Sequence, residues 1–122
     1  DGARLAAVWW GRADVPVFDA ATGEPRGAFA GHTGKVVGVG RLDDGRFASL
    51  ATGEPDVLVW DPVSLRTTGK LRLSRNPFAA GDDPAGTFAV SGTGRYVAAG
   101  KRGAAVPAPP GRVVGPGYEP AP

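Results

Sequence analysis

Cysteine is absent from the 122-residue chain, which rules out a disulfide framework, a thiol nucleophile and a thiolate metal site. Histidine occurs once, at His32, so any imidazole base or metal ligand would rest on that ring. No apolar run approaches the ~20 residues needed to cross a bilayer. The opening Asp1-Gly2-Ala3-Arg4 has neither an initiator Met nor the charged-then-apolar layout of a signal peptide. The chain therefore reads as soluble and already trimmed, with no membrane partner, and the lack of cysteine fits a cytoplasmic location. Charge of one sign is also scarce: 14 Lys and Arg face 12 Asp and Glu, a net +2. So small an excess supplies no broad field for a non-specific nucleic-acid binder. Glycine and proline, by contrast, make up 32 of 122 residues. Inside a helix they cost roughly 1 and 3 kcal/mol each, so long helices are disfavoured and an all-helical fold is excluded. The hydrophobic content, 42%, suffices for one core.

The chain repeats itself. Asp14-Val15-Pro16-Val17-Phe18-Asp19 returns 42 residues later as Asp56-Val57-Leu58-Val59-Trp60-Asp61. The same offset pairs Arg4-Leu5-Ala6 with Arg46-Phe47-Ala48, Gly27 with Gly69 and Phe29 with Leu71. A weaker third copy sets Gly94-Arg95-Tyr96-Val97 against Gly45-Arg46-Phe47-Ala48 at an offset of 49. The seven extra residues fall in the Pro/Gly/Asp-rich stretch 74–86, which reads as an inserted surface loop. Alternating apolar residues bounded by turn chemistry mark strands in the middle copy. The first runs from Lys35 to Arg41, with Val37 and Val39 on one face. Asp43-Asp44-Gly45 is a tight turn, followed by a second strand, Arg46 to Ala51, and a turn at Gly53-Glu54-Pro55. Asp56 to Asp61 is a third strand, with Val57 and Val59 on one face and Leu58 and Trp60 on the other. Thr67 to Leu73 is a fourth.

Gly31-His32 near the start of this unit, 27 intervening residues, and Trp60-Asp61 at its end resemble the signature of a WD40 repeat. The resemblance covers the whole middle copy. It implies an all-β fold of antiparallel four-stranded blades, a WD40-type β-propeller that is incomplete rather than a closed ring, since propellers typically close with 4 to 8 blades. Residues 1–30 would be the last three strands of a first blade and 31–73 a complete blade. After the 74–86 loop, 87–110 would be a degenerate third blade, and 111–122 a Pro/Gly-rich tail with room for a short edge strand at Arg112-Val113-Val114. By resemblance, His32, Thr52, Glu54 and Trp60 form a buried hydrogen-bond chain. Glu54 is one methylene longer than the family's Asp, a length that can carry the carboxylate past the imidazole or into water. Gly31, Asp44, Gly45, Asp61 and Asp19 carry the turn and repeat signature. The implied function is a non-catalytic scaffold for protein or peptide partners, without cofactor or metal. Missing blades, or self-association through raw faces, are expected.

The expected partner contacts are Trp9 or Trp10, Lys35, Arg41, Asp43 and Arg46, at turns and blade tops. Catalysis finds little support: Ser49, Ser91, Asp44 and Glu54 complete no recognised nucleophile-base set. Gly34-Lys35 lacks the phosphate-loop pattern, and Asp82-Asp83 lacks the spread of acidic ligands a calcium loop needs. Two rivals remain open. One is a fragment of an enzymatic propeller, lactonase-like or quinone-dependent. The other is a nucleic-acid-contacting surface built on Arg66, Lys70, Arg72 and Arg75, although that stripe also serves as charged protection for an edge strand.

Overall fold

Alternation of small or branched apolar residues with polar ones, punctuated by glycine turns, produces strands throughout the computed structural model. It describes residues 3–9, 11–73 and 75–101 together with 119 and 120. Among these the chain is all-β and antiparallel, without a helix. A first sheet has the order β1 (Arg4–Ala6), β2 (Val15–Asp19), β3 (Pro25–Phe29). A second is a four-stranded meander of β4 (Val36–Arg41), β5 (Phe47–Ala51), β6 (Asp56–Trp60) and β7 (Thr67–Arg72). In the third, β9 (Tyr96–Lys101) lies between β8 (Gly86–Val90) and β10 (Glu119–Pro120).

The 42-residue repeat is a repeat in space. Leu5 pairs with Phe18 and Ala6 with Val17, as Phe47 pairs with Trp60 and Ala48 with Val59. The partners Val15–Phe29 and Val17–Gly27 recur as Val57–Leu71 and Val59–Gly69, and the register shift before Phe18 recurs before Trp60. The loops that follow match as well. Asp19 Oδ1 accepts from the N–H groups of Ala21 and Thr22, and Asp61 Oδ1 from those of Val63 and Ser64. Backbone donation of this kind, from Ala21 foremost at Asp19 and from Ser64 foremost at Asp61, holds both carboxyls below their ordinary range. Even the positive φ of Gly23 recurs, at Leu65.

The second sheet lies between the other two, and its two faces build two cores. Val57, Val59, Ala48 and Leu50 pack with Val97 and Ala99 of the third sheet. Trp60, Phe47 and Val36 pack with Val15, Val17 and Phe29 of the first. A strand buried on both faces needs apolar residues at successive positions, not alternate ones, and all five residues of β5 are buried. Gly38 and Gly40 let β8 approach, since a Cβ at either would run into Phe88 or Val90.

Three expectations need correction. Val37 and Val39 do not share a face: Val37 packs on the core with the third sheet and Val39 on the core with the first. A register shift between Val36 and Gly38 breaks the alternation. In the third copy the alignment slips by one residue. Val97 and Ala99 turn to the middle sheet, as Phe47 turns to the first, while Tyr96, expected to match Phe47, is exposed. Of the stretch expected as a surface loop, the described residues 75–86 are not free of the core. Phe78 is fully buried in the core, and Asn76 pins the β5–β6 turn by donating from Nδ2 to the carbonyls of Ala51 (2.9 Å) and Glu54 (2.6 Å). Its Oδ1 accepts the Phe78 N–H at 2.9 Å. Asn76→Ala is expected to lower stability by about 1–2 kcal/mol, since three half-buried hydrogen bonds revert partly to water. Urea unfolding, with faster exchange of the Phe78 amide, checks this. Arg112-Val113-Val114, Trp10 and Ser74 lie outside the described residues.

Candidate functional site

Strand register brings the polar residues of the second sheet together. Phe47 lies opposite Trp60, so Ser49, two residues along β5, faces the same side as the indole. Trp60 Nε1–H donates to Ser49 Oγ at 3.0 Å. Ser49 Oγ lies 2.6 Å from His32 Nε2, and His32 Nδ1 lies 2.7 Å from Glu54 Oε1. Indole N–H can only donate and carboxylate can only accept. One orientation therefore satisfies the whole chain: Trp60 to Ser49, the Ser49 hydroxyl to Nε2, and the Nδ1–H tautomer of His32 to Glu54. Ser49 and Trp60 are fully buried. Phe29 stacks on Trp60 at 4.5 Å between ring centres and meets His32 edge-on at 5.6 Å, so the first sheet covers the chain.

Thr52 is not a link in this chain. It sits one residue past β5 with the wrong parity to face Trp60, and its Oγ1 accepts the Lys35 N–H at 3.1 Å. Resemblance to the repeat motif points to Thr52, whereas strand parity selects Ser49. Nor does the longer side chain of Glu54 miss the imidazole. The extra methylene lets the second oxygen, Oε2, accept from the N–H groups of Thr33 (2.6 Å) and Gly34 (3.2 Å). Burial pushes the Glu54 carboxyl up, but the hydrogen bonds from His32, Thr33 and Gly34 outweigh it and leave it below its ordinary value. A depressed folded value means that the carboxylate adds stability above the ordinary carboxylate range, and that this is lost as pH falls through the folded value. Glu54→Gln is therefore expected to melt lower than the parent at neutral pH, with the gap closing as pH falls below the ordinary carboxylate range; melting temperatures from neutral to acid pH check it.

Glu54, His32 and Ser49 line up in the order acid, imidazole, hydroxyl, which is the connectivity of a hydrolase triad. Access and occupancy oppose that use. Ser49 is 0% exposed, and its oxygen is engaged by the Trp60 N–H. The folded chain is expected to give no fluorophosphonate adduct at Ser49 by intact-mass spectrometry.

The five expected partner contacts among the described residues do not share one end of the sheets. Lys35 precedes β4 and Arg41 ends it, about 20 Å away at the usual strand rise. Trp9 lies at the Lys35 end, where Arg12 donates its backbone N–H to Trp9 O and its carbonyl accepts the Val36 N–H. Trp9 is half exposed, with the Arg12 guanidinium 5.1 Å from its ring centre and forked onto Asp14 at 2.7 Å. Arg41, Asp43 and Arg46 lie at the opposite end. There, Arg41, Asp44, Gly45, Arg46, Phe47, Asp61, Pro62 and Val63 of the second sheet join Ala3 and Arg4 of the first around a cleft of about 270 Å³. Arg4 was not singled out by its sequence context. Gly31 has no room for a side chain, because a Cβ there would meet the Phe29 ring. Among the described residues no group of three His, Cys, Asp or Glu could hold a metal ion, and no helix is long and apolar enough to cross a membrane.

No protein-family model matches the chain, and no curated protein matches it in sequence.

Proposed function

We propose that the chain is an incomplete segment of a WD40-type β-propeller, two to three blades of a non-catalytic scaffold that presents loops to protein or peptide partners. In this reading it belongs to a larger, cytoplasmic multidomain protein. The observation that carries the reading is the hydrogen-bond chain of Trp60, Ser49, His32 and Glu54. It links the segment before the first strand, the second strand, the turn after it and the third strand of a four-stranded meander, where a WD40 repeat fastens its blade. The 42-residue register shared by the first and second sheets adds support, as does their face-to-face stacking. Leu5 (57% exposed) and Tyr96 (43% exposed) stand on the faces of the first and third sheets turned away from the middle one, which suits further blades or a second copy there. The buried Ser49 argues against the enzymatic alternative. Arg72 sits 3.9 Å from Asp56 on an outer edge strand, in keeping with edge protection more than nucleic-acid contact.

Panning a displayed peptide library against the immobilised chain tests the binding role. Enrichment of peptides with a shared motif is expected. A folded chain that enriches none contradicts the reading.

A further inference from the structure

The cleft between the first and second sheets is built around arginine. Arg4 is largely buried, with 16% of its side chain exposed, and its one described ion pair is a loose 3.8 Å contact from Nη1 to Asp19 Oδ2. Its Nε is buried with no hydrogen-bond partner among the described residues. A buried donor on a charged group is costly to leave without an acceptor. Arg41 stands on the same cleft, exposed and without an ion pair among the described residues. Arg46 is held in place by Asp44 Oδ2 at 2.8 Å and by Thr68 Oγ1 at 3.2 Å.

We infer that this cleft binds the carboxylate of a peptide segment, with Arg4 and Arg41 as its cationic partners. Three arginines and two aspartates line it, a net of one positive charge, which matches a singly charged carboxylate better than a phosphate dianion. Phe47, Pro62 and Val63 give it an apolar wall, and Val63 is 66% exposed. That wall suits an apolar residue beside the acidic one. The guanidinium groups of Arg4 and Arg41, both on the cleft lining, are of the planar donor type that pairs with a carboxylate. The inference rests on the peptide-binding role proposed above for the kind of ligand, and on the cleft alone for its place.

The test follows the Arg4 Nε–H resonance of the full chain in ¹H–¹⁵N spectra during titration with an N-acetylated, C-amidated Leu-Glu-Leu peptide. Saturable movement is expected, with no response to the Leu-Gln-Leu counterpart. Arg4→Gln and Arg41→Gln should each weaken binding tenfold or more, and Lys70→Gln, outside the cleft, should leave it unchanged. Arg41 is exposed, so its variant reads binding even where loss of Arg4 unsettles the fold. Equal weakening by Lys70→Gln, an equal response to Leu-Gln-Leu, or displacement of the peptide by equimolar inorganic phosphate would overturn the inference. Failure of Leu-Glu-Leu to bind, with the His32 Nδ1–H signal intact, overturns it alone. Loss of that signal as well removes the blade reading too.

Discussion

Trp60→Ala is expected to destabilise the chain by about 3–5 kcal/mol, the range for removing a fully buried large aromatic. The indole sits at the centre of the core between the middle sheet and the first. It stacks on Phe29 of the first sheet at 4.5 Å, tilts against Phe47 at 5.3 Å and donates to Ser49. Alanine would leave a cavity at the junction of two sheets and an unanswered acceptor beneath it. Trp60→Phe separates the two contributions. It keeps most of the packing and loses the N–H, so about 1–2 kcal/mol is expected. Urea midpoints followed by far-UV circular dichroism, which does not depend on the deleted fluorophore, check both. An alanine variant as stable as the phenylalanine one would mean that packing against Phe29 contributes little.

The second large effect discriminates between two hydroxyls three residues apart. Ser49→Ala removes the acceptor of the Trp60 N–H and the partner of His32 Nε2 together. It leaves two buried polar groups unsatisfied, for a loss of about 2–4 kcal/mol. Thr52→Ala removes one acceptor, for the backbone N–H of Lys35, and about 1 kcal/mol is expected. Both residues are buried, at 0% and 4% exposed, so burial alone predicts no such gap. A Thr52→Ala loss equal to or greater than that of Ser49→Ala would reverse the assignment of the bridging hydroxyl. Differences of this size are read directly from chemical denaturation of the two variants side by side.

Much of this arrangement is legible in the amino-acid order because it depends on local chemistry. The strands of the middle copy, the Asp44-Gly45 turn, and the opposed faces of Val57 with Val59 and Leu58 with Trp60 all follow from alternation and turn residues. So does the 42-residue offset, which proved to be a shared strand register. What escaped depends on contacts between segments. The register shift at Val36–Gly38, which separates Val37 from Val39, has no signature in its own residues; it accommodates β8 against Gly38 and Gly40. Phe78 sits in a Pro/Gly/Asp-rich stretch that reads as loop, yet it fills the core that the third sheet leaves open. Asn76 is a side chain that supplies hydrogen-bond partners to the backbone at a turn. In the candidate site, His32, Glu54 and Trp60 were legible only through the resemblance of their stretch to a known repeat signature. Ser49 was available from parity, because residues that face Trp60 from β5 must share the phase of Phe47. The cleft at Arg4 could not be read in advance, since it exists only where two copies of the repeat meet.

The hydrogen-bond chain through His32 holds the middle sheet's polar core together, and long-range ¹H–¹⁵N spectra of the imidazole test its direction most directly. The predicted result is a protonated Nδ1 facing Glu54, an unprotonated Nε2 facing Ser49, and a slowly exchanging Trp60 Nε1–H. An imidazole carrying its proton on Nε2 alone, or a Trp60 indole N–H that exchanges as fast as one in water, would contradict it.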